Sequence, residues 1–506
     1  MKLLALRLCE HDSSFCYFDG EKLRYLKTER IKGIKHHAYN SLTDWKDDFT
    51  NFFKEDISKL DEIGIVLDSP TQVLTHGMVD LPPAAEASCN AMLCNDLQLP
   101  CKVWRINHHY AHSLSVWMLA DRRPDVSFVI DGYGDYDQCW TVFNGDSVID
   151  QGTVNNNGSL GIEMTQAGIQ LGINAKHRID VAGKLMGLQS YGTICKDFML
   201  YLDKHSIYDV RGLFSFHNWV QYVGDERVAR LLPLDWIKTL HHKTGELLVN
   251  FFKQFATPDQ IISFSGGVAQ NVLWNTELKK HFKNIIIPPH STDDGLTLGA
   301  IEWLRIKNNL PPFKLENFPF IQQDEAPLEE PTTDTIKHAA YLLSQGHSVG
   351  WYQGYGEIGP RALGNRSVLL DPRIKNGKAI INNIKKRENY RPFGASVLSE
   401  LKDNFFEIKN DDFMLYTAHV KTDTLQCITH VDGTCRVQTV AKTSPNKHFR
   451  QLLEEFYNLT QCPVLLNTSL NLAGKPLAGT IDDAKQFFYT TPLSYLIVGN
   501  TIYKKP

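Results

Sequence analysis

Two histidines one helical turn apart are the clearest candidates for chemistry in this 506-residue sequence. His108 and His112 stand at positions i and i+4, so on a helix they would share a face and could bind one metal ion. The same spacing suits two histidines that cap or pack a helix. His109 is a third candidate in the same run, but the i, i+4 spacing favours His108 with His112.

Aspartates follow two predicted strands and could add carboxylate ligands. Asp131 comes directly after the apolar run 126–130 and is followed by glycines. Ligands of α/β proteins collect at such strand ends, although Asp131 could also be a turn residue. Of Asp293 and Asp294, one could cap the helix predicted from residue 296 and the other could complete a site. Two imidazoles with two carboxylates suit Fe, Mn or Zn better than Ca.

A dense set of arginines and lysines lies between residues 361 and 391, where they alternate with Gly, Pro, Leu and Phe. A charge run is usually a solvated face, but this alternation is unlike one. Guanidinium groups match phosphate oxygens two at a time, so we predict an anion site. Polar residues after the apolar run 463–466 would add contacts to a small planar group. The candidates are Arg361, Arg366, Arg373, Lys385, Arg387, Arg391, Asn467 and Ser469.

Two glycine-containing stretches could contact phosphate through backbone N–H groups. Gly266 and Gly267 lie between a predicted strand and a predicted helix, where the helix N-terminus could help. A tight strand–helix turn could use the same glycines without a ligand. Asp180, Gly183 and Lys184 predict a second loop. Neither stretch is a Walker motif, so an ordinary P-loop is unsupported.

Composition limits the class of protein. Hydrophobic residues make up 42% and charged residues 22%, as in soluble globular chains. The net charge of −4 gives no bulk attraction to nucleic acid. No run of about 18 apolar residues predicts a membrane span, and the N-terminal run predicts a strand rather than a signal peptide. The ten cysteines form no CxxC pair, which predicts free thiols in a reducing cytoplasm.

The elements that must position these residues follow an α/β pattern. A strand over 261–264, the glycine pair, a helix over 268–282 and a strand over 284–287 predict a parallel crossover. Proline concentrates between residues 308 and 334 while apolar periodicity fades, which predicts a domain boundary. We therefore expect one domain over residues 1–320 and a smaller one over 321–506.

Taken in order, the motifs resemble the O-carbamoyltransferases of the nodulation-factor, cephamycin and aminoglycoside-antibiotic type. Each motif is modest alone, but their order and joint presence over nearly the whole chain are specific. The sequence departs from the usual family pattern conservatively at Thr292, Gly394 and Leu470. The landmarks are His11-Asp12-Ser13, His108-His109-x-x-His112, Asp131-Gly132, Gly183-Lys184, Gly266-Gly267, Asp293-x-Gly295, residues 359–367, Arg387-Glu388-x-x-Arg391 and Asn467-Thr468-Ser469.

The resemblance implies a fold and a reaction. Residues 1–320 would form an actin/sugar-kinase/Hsp70-like carbamoyl-transfer domain of two ribonuclease-H-like halves, and residues 321–506 a YrdC-like α/β domain. The second domain would make carbamoyl-adenylate from carbamoyl phosphate and ATP, with Mg²⁺ accompanying the nucleotide. The first would transfer the carbamoyl group to an acceptor hydroxyl of a sugar, antibiotic or other natural product.

The resemblance also implies roles for particular residues. His11 would be the catalytic base. Iron(II), or another divalent transition metal, would be held by His108, His112, Asp131 and Asp293. Arg361, Lys385, Arg391, Asn467 and Ser469 would bind carbamoyl phosphate and ATP, with Arg366 and Arg387 in support. The nucleotide contacts of the first domain would come from Asp180, Gly183, Lys184, Gly266, Gly267 and Asn271.

Three other interpretations stay open at this point. A tRNA threonylcarbamoyl-transfer enzyme shares the first domain, but it would not need the arginine-rich second domain, and the acidic balance disfavours tRNA. A hydrogenase-maturation carbamoyltransferase would carry CxxC zinc modules. A non-catalytic nucleotide-binding scaffold would not need His11 or the metal ligands. We expect a cytoplasmic enzyme without nucleic-acid or membrane partners, and the sequence leaves homo-oligomerisation open.

Overall fold

The computed structural model describes residues 1–8, 10–67, 87–89, 97–99, 101–120 and 122–505. The chain forms two compact units, and the first comprises Met1–Glu29 and His36–Lys314. The second comprises Leu315–Pro506 together with Arg30–Lys35. The division after Lys314 falls in the proline-rich stretch, whereas nothing in the composition marks the short N-terminal segment. The assignment of residues 1–320 and 321–506 to two functional domains stays a prediction.

The first sheet of the first unit has six strands in the order β3-β2-β1-β4-β6-β5. The first three strands form an antiparallel meander, the fourth and sixth run parallel to the first, and the fifth is antiparallel to the sixth. The strands are β1 Leu3–Arg7, β2 Ser14–Phe18, β3 Leu23–Lys27, β4 Glu62–Val66, β5 Ala87–Cys89 and β6 Lys102–Ile106.

The second sheet repeats this arrangement in the order β11-β10-β7-β8-β9. Again three antiparallel strands form a meander, and two parallel strands extend the sheet beside its first strand. This duplicated ribonuclease-H-like order confirms the predicted α/β class and actin/sugar-kinase-like architecture. The strands are β7 Val126–Ile130, β8 Gln138–Asn144, β9 Ser147–Thr153, β10 Ile261–Ser265 and β11 Asn284–Ile286.

The described residues before Leu315 contain twelve α-helices. They are α1 Glu29–Lys32, α2 Lys46–Phe53, α3 His108–Trp117, α4 Val154–Asn157, α5 Leu160–Gln170, α6 Asp180–Leu188, α7 Lys196–Tyr201, α8 Phe216–Val223, α9 Glu226–Leu231, α10 Pro233–Phe255, α11 Val272–His281 and α12 Leu296–Lys307. Helix α12 packs on β1, β2 and β4, and α3 packs on β7, β8 and β10. The two helices also pack against each other, which buries every residue of α3.

Two local predictions need correction. The predicted crossover is present, because β10 and β11 are parallel and α11 connects them. However, the helix begins at Val272 rather than at residue 268, since a 3₁₀ turn, Gly267–Gln270, comes first and Asn271 caps α11. The loop predicted around Gly183 is helix α6, where Val181 and Leu185 are buried. Each of the two glycines in α6, Gly183 and Gly187, costs a helix only about 1 kcal/mol, so they do not prevent helix formation.

The second unit contains one mixed sheet of nine strands in the order β15-β16-β17-β14-β18-β13-β12-β19-β20. The assignment of this unit to the YrdC type stays a prediction. The strands are β12 Val349–Tyr352, β13 Arg366–Leu370, β14 Gly394–Leu398, β15 Phe406–Glu407, β16 Thr417–Val420, β17 Thr434–Val440, β18 Val464–Ser469, β19 Tyr495–Val498 and β20 Thr501–Lys504. The helices of this segment are α13 Thr333–Ser344, α14 Gly377–Lys385, α15 Lys447–Thr460 and α16 Ile481–Thr490.

The structure also bears on the predictions about membrane spans and cysteines, for the residues that it describes. Among them, no helix has both the length and the apolar character needed to cross a bilayer. Several cysteines are free thiols, as predicted, namely Cys16, Cys139, Cys195, Cys427, Cys435 and Cys462. The side chains of Cys9, Cys89 and Cys94 lie outside the described part of the chain.

We predict that Gly299→Ala lowers the free energy of unfolding by about 2–4 kcal/mol. A β-carbon at Gly299 would lie 1.8 Å from the carbonyl oxygen of Ala111, so α12 and α3 would have to separate. Urea denaturation measures the change. Gly183→Ala, at an exposed position of helix α6, is the matched control, because a β-carbon there meets nothing within 4 Å. It should stabilise by about 0.5–1 kcal/mol; equal destabilisation by both variants would contradict the packing argument.

Candidate active sites

Four predicted ligands of the first unit come together in one cluster. One side-chain ligand atom from each of His108, His112, Asp131 and Asp293 lies within 4.8 Å of the other three. His112 Nε2 is 2.9 Å from Asp131 Oδ2 and 3.4 Å from Asp293 Oδ1. The corresponding distances from His108 Nε2 are 3.6 and 3.7 Å. Both imidazoles therefore direct Nε2 at the same two carboxylates.

The duplicated fold explains this convergence. The histidines share a face of α3, as the spacing predicts, while Asp131 follows the last residue of β7. Asp293 begins a 3₁₀ turn that leads into α12, and Gly295 is the N-cap of that helix. The expectation that one of the two aspartates is the helix cap is therefore wrong. Asp294 instead accepts a hydrogen bond from the Tyr25 hydroxyl through its backbone carbonyl, at 2.6 Å.

The structure separates His108 from its neighbour His109. The Nδ1 atom of His109 lies 2.8 Å from the Thr141 hydroxyl, within the second sheet's half of the unit.

Burial alone would raise the pKa of Asp131, but the imidazoles of His108 and His112 hold it well below its usual range. Burial and the nearby carboxylate oppose ionisation of Asp293 too, yet Arg7 and His108 lower its pKa.

A buried ion pair that the sequence does not reveal supports the first turn of α3. Asp135 accepts the backbone N–H of His108 at 2.8 Å and a hydrogen bond from the Arg105 guanidinium at 3.0 Å. Both side chains are fully buried. Because Asp135 lies on the loop that follows Asp131, it connects the carboxylate loop directly to the histidine helix. A carboxylate is also favourable at a helix N-terminus.

His11 lies beside the ligand cluster. Its Nε2 atom is 3.6 Å from Asp293 Oδ2, its Nδ1 atom is 3.0 Å from Asp12 Oδ2, and 31% of its side chain is exposed. Burial lowers the pKa of His11, but the hydrogen bond to Asp12 and the charge of Asp293 outweigh it and raise the pKa to about 9. Asp12 is anchored in turn by Lys27 at 2.8 Å and by His36 at 3.0 Å.

The donor set fits a divalent transition-metal ion. Two imidazole nitrogens and two carboxylate oxygens are ligands that iron, manganese and zinc accept, and the near-complete burial of the histidines limits competition from water. A second group of Asp12, Glu29 and His36 is less suited to a cation, although its ligand atoms are also close. Lys27 Nζ lies 2.8 Å from Asp12 and 3.4 Å from Glu29, so an ammonium group already balances those carboxylates.

The predicted glycine pair borders the ligand cluster. Gly266 has φ +89°, and a β-carbon there would lie 2.3 Å from the Ile130 carbonyl oxygen. At Gly267 a β-carbon would lie 2.9 Å from Asp131 Oδ1. Only glycine allows this loop to pass so close to the end of β7. The glycine pair therefore packs directly against the end of β7 and beside the Asp131 carboxylate.

The other predicted nucleotide contacts have partners within the protein. Asn271 caps α11, and its Nδ2 atom donates to His241 Nε2 at 2.8 Å. On helix α6, Lys184 donates to the Asn174 carbonyl at 2.6 Å, and Asp180 lies 3.5 Å from His36 Nε2. Gly183 is exposed on the same helix. These contacts do not bring the three α6 residues to the ligand cluster.

The second unit gathers an excess of positive charge around the end of β18. Burial lowers the pKa of Arg361, and the charges of Arg436 and Arg391 lower it further. The pKa of Arg387 is also lowered, first by burial and then by the charges of Arg391 and Arg436. The pKa of Arg436 falls to about 10, mainly through burial. Such mutual repulsion marks a place where the protein would bind an anion.

Lys385, Asn467 and Ser469 complete this cationic cluster. Lys385 Nζ donates to the Ser469 hydroxyl at 3.1 Å and to Asn471 Oδ1 at 2.6 Å, while burial and the neighbouring arginines lower its pKa. The Asn467 amide donates to the Ser396 hydroxyl at 3.0 Å. Its buried carbonyl oxygen has no hydrogen-bond partner within the described residues. This oxygen could accept a hydrogen bond from a ligand.

Two arginines from the predicted set lie outside the cationic cluster. The Arg366 guanidinium is fully buried, donates to Asp324 at 2.8 Å and to the Gln353 carbonyl at 2.6 Å, and lies 3.6 Å from the Tyr352 ring. Its donors serve the fold, so we leave it out of the proposed anion site. Arg373 forms an ion pair with Asp371 at 2.6 Å.

Arg436 is the member that the sequence does not reveal. It lies on β17, where its backbone pairs with Gly394 of β14 and Thr417 of β16. A lone arginine inside a strand carries no motif. Only the strand register brings Arg436 to this cluster, because it pairs Arg436 with Gly394. Gly394 follows Phe393, and the Arg387 guanidinium lies 4.0 Å from the Phe393 ring.

Comparison with known proteins agrees with the geometry of both units. The family described as "Carbamoyltransferase N-terminus" matches residues 85–301, and "Carbamoyltransferase C-terminus" matches residues 340–505. Nodulation protein NolO of Bradyrhizobium diazoefficiens is 30% identical over 79% of this chain and 79% of its own. The 3'-hydroxymethylcephem-O-carbamoyltransferase of Amycolatopsis lactamdurans is 34% identical over 65% of this chain and 66% of its own.

A longer relative and a solved structure extend the comparison. Nodulation protein NolNO of Sinorhizobium fredii is 28% identical over 96% of this chain and 78% of its own. The crystal structure of HypF from T. kodakarensis gives a TM-score of 0.40 at 12% identity, over 62% of this chain and 48% of that one. The fold assignment of the first unit therefore rests on its strand order and not on this structural similarity. The chain belongs to the carbamoyltransferase family, and it is an enzyme that transfers carbamoyl groups.

Proposed function

We propose that the protein is an ATP-dependent O-carbamoyltransferase that works in two half-reactions. In the second unit, water cleaves carbamoyl phosphate to carbamate and phosphate. A carbamate oxygen then attacks the α-phosphorus of ATP, pyrophosphate leaves, and carbamoyl-adenylate forms. The cationic cluster supports this step, because Arg361, Lys385, Arg387, Arg391 and Arg436 supply the donors that phosphate oxygens require.

The second half-reaction would take place in the first unit. The acceptor hydroxyl attacks the carbonyl carbon of carbamoyl-adenylate, the bond to the phosphate oxygen breaks, AMP leaves, and an O-carbamate forms. His11 Nε2 would take the hydroxyl proton, since it lies 3.6 Å from Asp293 of the ligand cluster. Because its pKa is raised to about 9, only the deprotonated fraction of His11 can do so, and that fraction grows as the pH rises. Asp12 would orient the imidazole through Nδ1.

His108, His112, Asp131 and Asp293 would hold a divalent transition metal, for which iron(II) is our candidate. Bound there, the ion would supply positive charge to the phosphate of the adenylate. The loop at Gly266 and Gly267 would contact the same phosphate through backbone N–H groups. The observation that carries the proposal is this four-ligand cluster with His11 beside it, in a chain of the carbamoyltransferase family.

The acceptor is proposed only as a class. The relatives include a 3'-hydroxymethylcephem-O-carbamoyltransferase and two nodulation proteins, so a hydroxylated small molecule is the acceptor that we infer for this chain. Mass spectrometry across a panel of sugars, aminoglycosides and other hydroxylated metabolites, incubated with ATP and carbamoyl phosphate, would reveal it as a carbamoyl mass gain. A panel without any such gain, in the presence of pyrophosphate release, would direct the search to another acceptor class.

Replacing His112 with Ala should remove the metal. One of four proposed ligands is lost, and the Asp131 carboxylate then loses an imidazole that stabilises it. Metal analysis by plasma mass spectrometry of the purified protein measures the metal-to-protein ratio. His109→Gln is the matched control, because His109 is equally buried on the same helix but faces Thr141. Unchanged metal in His112→Ala, or equal loss in both variants, would remove His112 from the site.

Arg361→Ala should reduce pyrophosphate release from ATP and carbamoyl phosphate by about 100-fold or more. Charge-assisted hydrogen bonds are worth about 1.5–3 kcal/mol each, and 1.4 kcal/mol corresponds to tenfold. A coupled pyrophosphate assay measures the rate. Arg373→Ala removes an arginine of the same unit that pairs with Asp371 and should retain the rate. Release at the wild-type rate in Arg361→Ala would refute the placement of the first half-reaction.

His11→Ala should block carbamoylation of the acceptor and leave pyrophosphate release intact. A positioned base contributes about 100-fold to 10,000-fold, so transfer should fall by that factor. Mass spectrometry of the carbamoylated acceptor and the pyrophosphate assay are run on the same sample. Loss of both activities would show that His11 serves folding or nucleotide binding rather than proton transfer.

A further inference from the structure

A buried residue from the N-terminal part of the sequence belongs to the second unit. Arg30 lies on α1, within the segment Arg30–Lys35, and only 1% of it is exposed. Its Nη2 atom donates to the carbonyl oxygens of Glu357 and Gly359, at 3.3 and 3.2 Å. The backbone also approaches closely, because a β-carbon at Gly479 would lie 2.1 Å from the Arg30 carbonyl oxygen.

The two carbonyls that Arg30 contacts begin the loop that carries Arg361. The carboxylate of Glu357 closes this loop from the other side, since Oε1 accepts the backbone N–H groups of Leu363 at 2.6 Å and Asn365 at 3.0 Å. Arg361 therefore lies between the carbonyl of Gly359, held by Arg30, and the N–H of Leu363, held by Glu357. Both attachments are buried.

Four charges balance in the interior beneath this loop. Arg30, Asp324, Glu357 and Arg366, here called the charge quartet, are between 0% and 5% exposed. Arg366 donates to Asp324 Oδ1 at 2.8 Å, and Asp324 also accepts the N–H of Gly356 at 2.8 Å. Removal of one member would leave a buried charge without its full compensation, which is costly in a protein interior.

We propose that Arg30 is a positioning residue for the anion site of the second unit, acting through the loop that presents Arg361. The inference rests on the proposed function, in which Arg361 binds the phosphates of the adenylate-forming step. Loss of Arg30 would displace the Arg361 guanidinium and weaken its charge-assisted hydrogen bonds to a bound phosphate, which would raise the KM for carbamoyl phosphate. An N-terminal segment would thus set the chemistry of the C-terminal site.

The test compares three variants of the full chain in the pyrophosphate assay. Arg30→Gln should raise the KM for carbamoyl phosphate at least about tenfold, the change expected when a charge-assisted hydrogen bond is weakened, and speed hydrogen exchange of backbone amides in residues 357–366. Arg30→Lys keeps a cation that can donate to both carbonyls, so it should recover part of each effect. Arg450→Gln is the matched control, because it removes a buried guanidinium of the same unit that pairs with Glu400 and contacts the Val440 carbonyl instead. It should lower the unfolding midpoint without changing this KM.

The outcomes separate positioning from stability. Wild-type KM and wild-type exchange in folded Arg30→Gln or Arg30→Lys would overturn the proposal, as would equal KM changes in Arg30→Gln and Arg450→Gln. If Arg30→Gln does not fold, the lysine variant decides by the same two measurements. Absence of pyrophosphate release in the wild-type protein would instead refute the proposed function, and hydrogen exchange in residues 357–366 would then decide the role of Arg30 alone.

Discussion

The close approach of helices α3 and α12 is the constraint on which the first site depends. Gly299 of α12 passes Ala111 of α3 with no room for a side chain. Since α3 carries both proposed histidine ligands and α12 starts just after Asp293, any change in helix spacing would shift imidazoles relative to a carboxylate. Each helix also packs on a different sheet of the duplicated fold. The dense packing of protein interiors thereby transmits the rigidity of both sheets to the ligands.

Each unit also holds like charges close together and away from water. The carboxylates of Asp131 and Asp293 lie within 4.8 Å, and at an effective dielectric constant of about 20 their repulsion is about 3–4 kcal/mol. Two imidazoles and Arg7 offset this repulsion in part. In the second unit, buried arginines lower one another's pKa. Favourable interactions elsewhere in the fold must offset this repulsion. A ligand of opposite charge that binds only the folded state would stabilise that state by mass action.

Spacing predicts the first site better than the second. His108 and His112 could be paired in advance because helix periodicity is fixed, and Asp131 because strand ends of such sheets converge. Arg436 could not be found this way, since the direction of a strand side chain depends on a register that the sequence does not contain. For Arg366, residue type alone cannot distinguish a guanidinium that binds backbone carbonyls from one that faces a ligand. Strand order in the duplicated sheets was within reach only through the family resemblance.

The segment Arg30–Lys35 makes the two units hard to separate. The chain contributes to the second unit first between Glu29 and His36, and again from Leu315 onward. A fragment starting at Leu315 would contain Asp324 and Glu357 in its interior but lack Arg30, leaving a surplus of buried negative charge. Dividing the chain at its proline-rich stretch would therefore yield an incomplete second half. If the gene were split at this stretch, the second product would be complete only when the segment Arg30–Lys35 of the first product packed into it, as in fragment complementation.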